Sequence, residues 1–233
     1  MITQLGSPKS PTDAIMLYRD IAIITTGFFS SVRGKQLGKT RLSNILRLPN
    51  GAGLLFNFCW GKTLRDGSTH VFGVASRPNS RNMCPMRCIN DYVAAARRIG
   101  WTFGKASRLF PIIRKGWGDV MPSRMEGDLT SKDITHILGS RLKAAGLYTD
   151  ETAHGLRGSG ALFRKLGDGL STEQVMHSCY WKDPETANHY LRIMEVARPG
   201  GITLFESDPS YNEYTKLNSA PVGSDMAAFQ VCG

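Results

Sequence analysis

The chain is punctuated by helix starts, and these constrain its fold more than any other feature. Ser10-Pro11-Thr12-Asp13 joins an N-cap serine, a proline in the first turn and an acid beside it. Such a run satisfies the free N–H groups of a helix N-terminus and complements its positive end. Pro85, the pair Thr130 and Asp133, and Asp183-Pro184 repeat the signal. The first start predicts a helix to about Thr26. The second carries Cys88, Ile89, Tyr92, Val93 and Ala96 at helical spacing and ends near Gly100. The third sets Ile134, Ile137, Leu138, Leu142 and Ala145 on one face before Gly146 ends it, and the fourth leads into a helix containing Tyr190. Further helices are expected over about 33–46, over 152–167 and over 172–178.

One β signal stands against these. Residues 54–60 and 69–74 are rich in strand formers and flank Asp66-Gly67, a hairpin turn pair. Residues 101–129 are rich in Gly, Pro and Arg and read as a loop with short elements. Residues 199–233 are polar, mildly acidic and aperiodic. The expected fold is therefore mainly α with a small β-hairpin sheet (α+β), as one body over 1–198 followed by a tail over 199–233.

Charge narrows the class of partner. The formal net charge is +10, and residues 1–120 hold 18 Lys and Arg against 5 Asp and Glu. The remainder holds 11 against 14. A strongly basic half favours a polyanion such as nucleic acid. No run approaches eighteen apolar residues, and the start MITQLGSPKS lacks a basic segment followed by an apolar block. The five cysteines are irregularly spaced, which suggests free thiols. Together these favour an intracellular protein, nuclear in a eukaryote and otherwise in the cytoplasm or nucleoid. Cys84 and Cys88 have no second close pair of Cys or His to complete a zinc site, so no metal is expected.

The segment 152–167, TAHGLRGSGALFRKLG, places His154 and Arg157 three residues apart, one turn of a helix. At 100° per residue Leu156, Leu162, Phe163 and Leu166 cluster on one side, with His154 and Arg157 nearly opposite and Arg164 beside Arg157. The expected arrangement buries the leucines and turns the cations outward. That face reads either as solvated or as an oxyanion site, because guanidinium groups grip phosphate oxygens in pairs and an imidazole moves protons near neutral pH.

The segment HSCYWKDPETANHYL sets Trp181 nine residues before Tyr190. With His154 and Arg157, this order resembles the His-x-x-Arg, Trp or His, Tyr boxes of the tyrosine recombinases, the phage-integrase-like enzymes that break and rejoin DNA. TTGFFSSVRGKQL resembles the first box, with Arg33 as its arginine. CWGKTLRDG puts Lys62 near the expected hairpin turn, where the family carries its lysine. NMCPMRCINDYV resembles the segment leading into the next helix. Gln36 stands where the family often has an acid, and no N-terminal DNA-clamping domain is expected within this chain.

The resemblance implies a catalytic set of Arg33, Lys62, His154, Arg157, Trp181 and Tyr190, with Tyr190 as nucleophile. It implies a 3′-phosphotyrosine intermediate and a free 5′-hydroxyl, with no metal, ATP or other cofactor. In that chemistry the arginines neutralise the phosphoryl transition state, His154 takes or relays the tyrosine proton, Lys62 protonates the leaving oxygen, and Trp181 packs and hydrogen-bonds. Lys35, Lys39, Arg65, Arg77, Arg81, Arg87 and Arg164 are expected to contact DNA phosphates. The implied partners are double-stranded DNA and further copies of the chain, a tetramer on DNA, with the acidic, partly apolar tail docking on a neighbour. Taken one at a time, Arg33 reads more readily as a surface helix arginine and Lys62 as a hairpin-tip charge, and Trp181 and Tyr190 read also as ordinary core aromatics. His177 competes with Trp181 for the third box. A site-specific recombinase or integrase of a mobile element is the leading expectation. A DNA-binding relic of one, or a type IB topoisomerase-like enzyme, are the alternatives.

Overall fold

The computed structural model describes residues 8, 10–58, 69–80, 82–113 and 125–196. Helix α1 (Pro11–Ser30) starts as its sequence dictates: the Ser10 hydroxyl accepts from the Asp13 N–H at 3.1 Å. It runs one turn past Thr26, because nothing in TGFFS breaks it, and stops at Ser31 in the left-handed conformation (φ 53°). Ile15, Ile21, Ala22 and Ile23 are fully buried, and α1 packs against α3 (Pro85–Arg98), α4 (Ser131–Ala144) and α5 (Ala153–Leu166). A helix that is apolar nearly all round belongs at the centre of a fold.

The expected helix over 33–46 is corrected. Helix α2 (Gly34–Gly38) lasts five residues, and the chain then enters strand β1 (Ile45–Arg47) through a 3-10 turn at Leu42–Asn44. Tertiary hydrogen bonds override helix propensity here. The Thr40 carbonyl accepts from Leu109 N–H and the Leu42 N–H donates to the Ser107 carbonyl. A Cβ on Gly38 would stand 2.0 Å from the Leu129 carbonyl oxygen, so only glycine fits that crossing.

The expected hairpin strands are present as β2 (Gly53–Phe58) and β3 (His70–Ala75), and β1 adds to them, giving an antiparallel sheet in the order β1-β2-β3. The turn between β2 and β3, with Asp66-Gly67, lies outside the described residues. The register sets Phe56 opposite Phe72 and Phe58 opposite His70, so one face is buried, while Val71, Gly73 and Ala75 face out. Strands β4 (Pro111–Ile113) and β5 (Met125–Asp128) form a second small ladder within the stretch read as irregular. Helix α4 begins on the expected Thr130 and Asp133 capping box. Helices α6 (Thr172–Cys179) and α7 (Pro184–Val196) complete the chain, and the tail over 199–233 lies outside the described residues. The mainly helical fold with a small antiparallel sheet is as expected. Among the described residues no helix is long and apolar enough to cross a membrane.

The orientation of α5 is the second correction. Arg157, Gly160, Ala161 and Arg164 form its buried face, while Leu156, Leu162, Phe163 and Leu166 are only half-buried. Helix α5 lies so close to the end of α1 that a Cβ on Gly160 would sit 1.9 Å from the Phe28 carbonyl oxygen. Gly160→Ala should therefore destabilise the protein by about 1–3 kcal/mol through overpacking. At Gly155 the nearest atom to an added Cβ is Thr152 Oγ1 at 3.7 Å. Gly155→Ala should leave stability unchanged or raise it by up to about 1 kcal/mol. Urea denaturation midpoints of the two variants check both.

Candidate active site

Arg157 organises the site. It is 4% exposed, and its guanidinium donates to two carbonyls from different helices, Nη1 to Ser31 and Nη2 to Cys179, each at 2.8 Å. Burial lowers its affinity for the proton, and the nearby Arg33 charge lowers it further. Arg33 follows the left-handed turn at Ser31 and stands at the N-cap position of α2, half-buried. The αL turn at the end of α1 thus delivers both a carbonyl for Arg157 and a second guanidinium beside it.

Helix α7 brings Tyr190 to the same place. Its hydroxyl lies 2.6 Å from Nε2 of the exposed His154. Its ring stacks on Trp181, with centroids 4.7 Å apart and planes 6° from parallel. On the α5 side the ring lies against Gly158, where an added Cβ would stand 3.1 Å from Cδ1. Trp181 is buried in a small cluster with Ala161, Val175, Cys179 and Ala187, separate from the main core, and its indole face lies 5.4 Å from the Arg157 guanidinium. The glycines of α5 therefore have two uses: Gly160 admits α1, and Gly158 admits the tyrosine ring.

Five of the six residues expected to form the catalytic set, Arg33, His154, Arg157, Trp181 and Tyr190, meet around one surface. Lys62, Arg65 and Arg81 lie outside the described residues. Lys35 is exposed and Lys39 half-exposed on α2, and Arg87 is exposed and pairs with Asp91 at 3.6 Å. Arg77 and Arg164 are corrected: both are 8% exposed and turned inward. Arg164 donates to the Phe29 and Gly73 carbonyls. Arg77 pairs with Asp168 at 3.3 Å and lies 4.1 Å over the Phe29 ring. They fasten β3 to α1 and α5 rather than face a polyanion. His177 and His189 are exposed, and His189 meets Tyr190 only edge to face.

Two features were missed in the sequence. A cleft of about 620 Å³, lined by Arg33, His154 and Arg157, continues over α4, where Lys132, His136 and Lys143 face into it. Among the described residues no carboxylate lines it. The 132, 136, 143 spacing on one helical face was the available signal. The second is His70 at the start of β3, 6% exposed, with its ring on Tyr180 at 4.5 Å. Burial, then the charges of Arg157, His177, Arg164 and Arg33, push its pKa down to about 4.

No protein-family model matches the chain, and no curated protein matches it. Among solved structures, the fold resembles the site-specific recombinase XerH bound to difH substrate in a pre-cleavage complex, with a TM-score of 0.54, 14% identity, and coverage of 86% of this chain and 50% of that one. The post-cleavage complex of XerH on palindromic difH gives 0.55 and 13%, covering 85% and 50%. XerA recombinase gives 0.51 and 13%, covering 83% and 63%. The chain spans about half the length of the XerH chains it matches. The likeness is one of fold, a mainly helical body with a small antiparallel sheet shared with these recombinases.

The buried imidazole has a measurable consequence. In the unfolded chain His70 takes up a proton below its ordinary pKa of 6.5, while in the folded protein it does so only near 4. The unfolded state therefore binds more protons in that window, and stability is lost as pH falls through it, by on the order of 3 kcal/mol. Denaturation at pH 7 and pH 4.5 should show a loss for the wild type that His70→Phe reduces.

Proposed function

We propose that the chain is a site-specific DNA recombinase or integrase that cleaves through Tyr190. The observation that carries this reading is the 2.6 Å approach of the Tyr190 hydroxyl to His154 Nε2, on a surface where Arg33 and Arg157 converge and, among the described residues, no carboxylate lines the cleft. A phenol with a pKa near about 10 needs a base to attack at neutral pH. His154 takes its proton. Tyr190 Oη forms a bond to phosphorus, the bond from phosphorus to the 5′-oxygen breaks, and that oxygen accepts a proton to leave as a hydroxyl. Lys62 is proposed as the donor of that proton. Arg33 and Arg157 neutralise charge on the non-bridging oxygens, where a single well-placed donor is worth about 3–4 kcal/mol. The phosphodiester energy is kept in the phosphotyrosine, so rejoining needs only attack by a 5′-hydroxyl.

The proposed partner is double-stranded DNA, bound by copies of this chain acting together, with the backbone lying along the cleft and α4. Tyr190→Phe keeps the ring stacked on Trp181 and removes the oxygen. It should abolish the covalent protein–DNA adduct on nicked suicide duplexes and leave DNA affinity unchanged; an adduct with this variant would reject the assignment. Relaxation of plasmid without strand exchange would favour the topoisomerase-like alternative, and binding with no adduct the relic.

Neutralising phosphates releases counterions, so affinity should fall steeply with salt. Lys132→Ala and Lys143→Ala should each lower the slope of log affinity against log salt by about 1. Unchanged slopes would place the DNA elsewhere. Lys62→Ala should slow cleavage of ordinary DNA and be rescued by a 5′-bridging phosphorothiolate, whose leaving group needs no proton. Equal defects on both substrates would remove Lys62 as the acid.

A further inference from the structure

We propose that His70 is a positioning residue for the nucleophile, its ring holding Tyr180 in the backbone conformation that sets Trp181 beneath Tyr190. The inference rests on the recombinase reading above. Tyr180 closes α6 with φ 53° and ψ 48°, a left-handed conformation disfavoured for a residue with a Cβ. Such a conformation persists only where its surroundings hold it. Here the Tyr180 N–H donates to the His177 carbonyl, and its ring lies on His70, with centroids 4.5 Å apart and planes 29° apart.

The reversal at Tyr180 decides where two groups of the site point. The Cys179 carbonyl just before it accepts from Arg157, and Trp181 just after it donates its N–H to the Met176 carbonyl and stacks on Tyr190. His70 is itself held firmly. It pairs with Phe58 in the sheet, and its strand is fastened to α5 by Arg164 on the Gly73 carbonyl at 3.4 Å. The ring is thus a rigid platform presented by the sheet to the turn between α6 and α7.

The platform acts through its face. His70 Nε2 is buried and makes no hydrogen bond among the described residues, and the ring meets Tyr180 face on. Protonation would add a charge beside Arg157, Arg164, Arg33 and His177, and burial keeps the ring neutral. A phenyl ring at this position retains the stacking surface, and a methyl group does not.

The test is single-turnover cleavage of a nicked suicide duplex by the full chain. His70→Ala should lower the rate constant for adduct formation roughly tenfold, since small displacements of a reacting group carry large rate penalties. The final adduct yield and the DNA affinity should stay at wild-type levels. The same loss should appear on the 5′-bridging phosphorothiolate, because presentation of the nucleophile is impaired rather than departure of the leaving group. His70→Phe should recover most of the lost rate. A wild-type rate for His70→Ala overturns the proposal. So does a loss confined to yield, which marks misfolding, a loss erased by the phosphorothiolate, or a His70→Phe variant as slow as His70→Ala. Absence of any adduct from the wild-type protein overturns the recombinase reading as well.

Discussion

The guanidinium of Arg157 is the contact on which the rest of the site depends. It is a buried cation, and among the described residues no carboxylate pairs with it. Its two bonded oxygens belong to the carbonyl ends of α1 and α6. Each helix C-terminus carries about half a unit of negative charge, so two of them supply much of the compensation that a buried cation requires. Both helices end on a left-handed residue that is not glycine, Ser31 and Tyr180, each at φ 53°. These turns release the chain toward Arg33 in one case and toward Trp181 in the other. One side chain therefore ties α1, α5 and α6 together at the place where Tyr190, from α7, reaches His154.

The chain contains two ways of keeping an arginine inside. Asp20, 4% exposed, takes Arg19 at 2.7 Å and Arg141 at 2.6 Å, and Arg19 also donates to the Pro111 carbonyl. That network ties α1 to α4 and β4, with one carboxylate shared between two guanidinium groups. Arg157 and Arg164 are held by main-chain carbonyls. Arg164 closes a purely structural joint between α5, α1 and β3. Arg157 borders an open cleft. Only the second arrangement leaves a positive field where a ligand can reach it.

The helix starts were legible because capping is local: Ser10, Thr130 and Asp133 meet their partners within four residues. The grouping of His154, Arg157, Trp181 and Tyr190 was foreshadowed by residue type and spacing. What failed was decided by distant chain. The hydrophobic pattern of α5 argued for burying Leu156 and Leu166, yet the carbonyls of Ser31, Cys179, Phe29 and Gly73 draw Arg157 and Arg164 inward, and no local pattern announces a carbonyl 22 to 135 residues away. Helix α2 ended early because Thr40 and Leu42 hydrogen-bond to the 107–109 segment. Summing charge over halves of the chain pointed at residues 1–120, while the cleft draws Lys132, His136, Lys143, His154 and Arg157 from the other half. Net charge over a segment averages away a face of one helix.

The carbonyl ends that hold Arg157 differ from a carboxylate in one respect that matters to any anion entering the cleft. A carboxylate competes with the anion for the cation, and its strength changes as it titrates. A helix C-terminus carries only about half a unit of negative charge, so it competes less. Its carbonyls have no proton to gain, and helix geometry keeps them in place. The cation is thus restrained without being quenched. Its readiness to meet an oxyanion is set by backbone geometry rather than by the titration of a paired carboxylate.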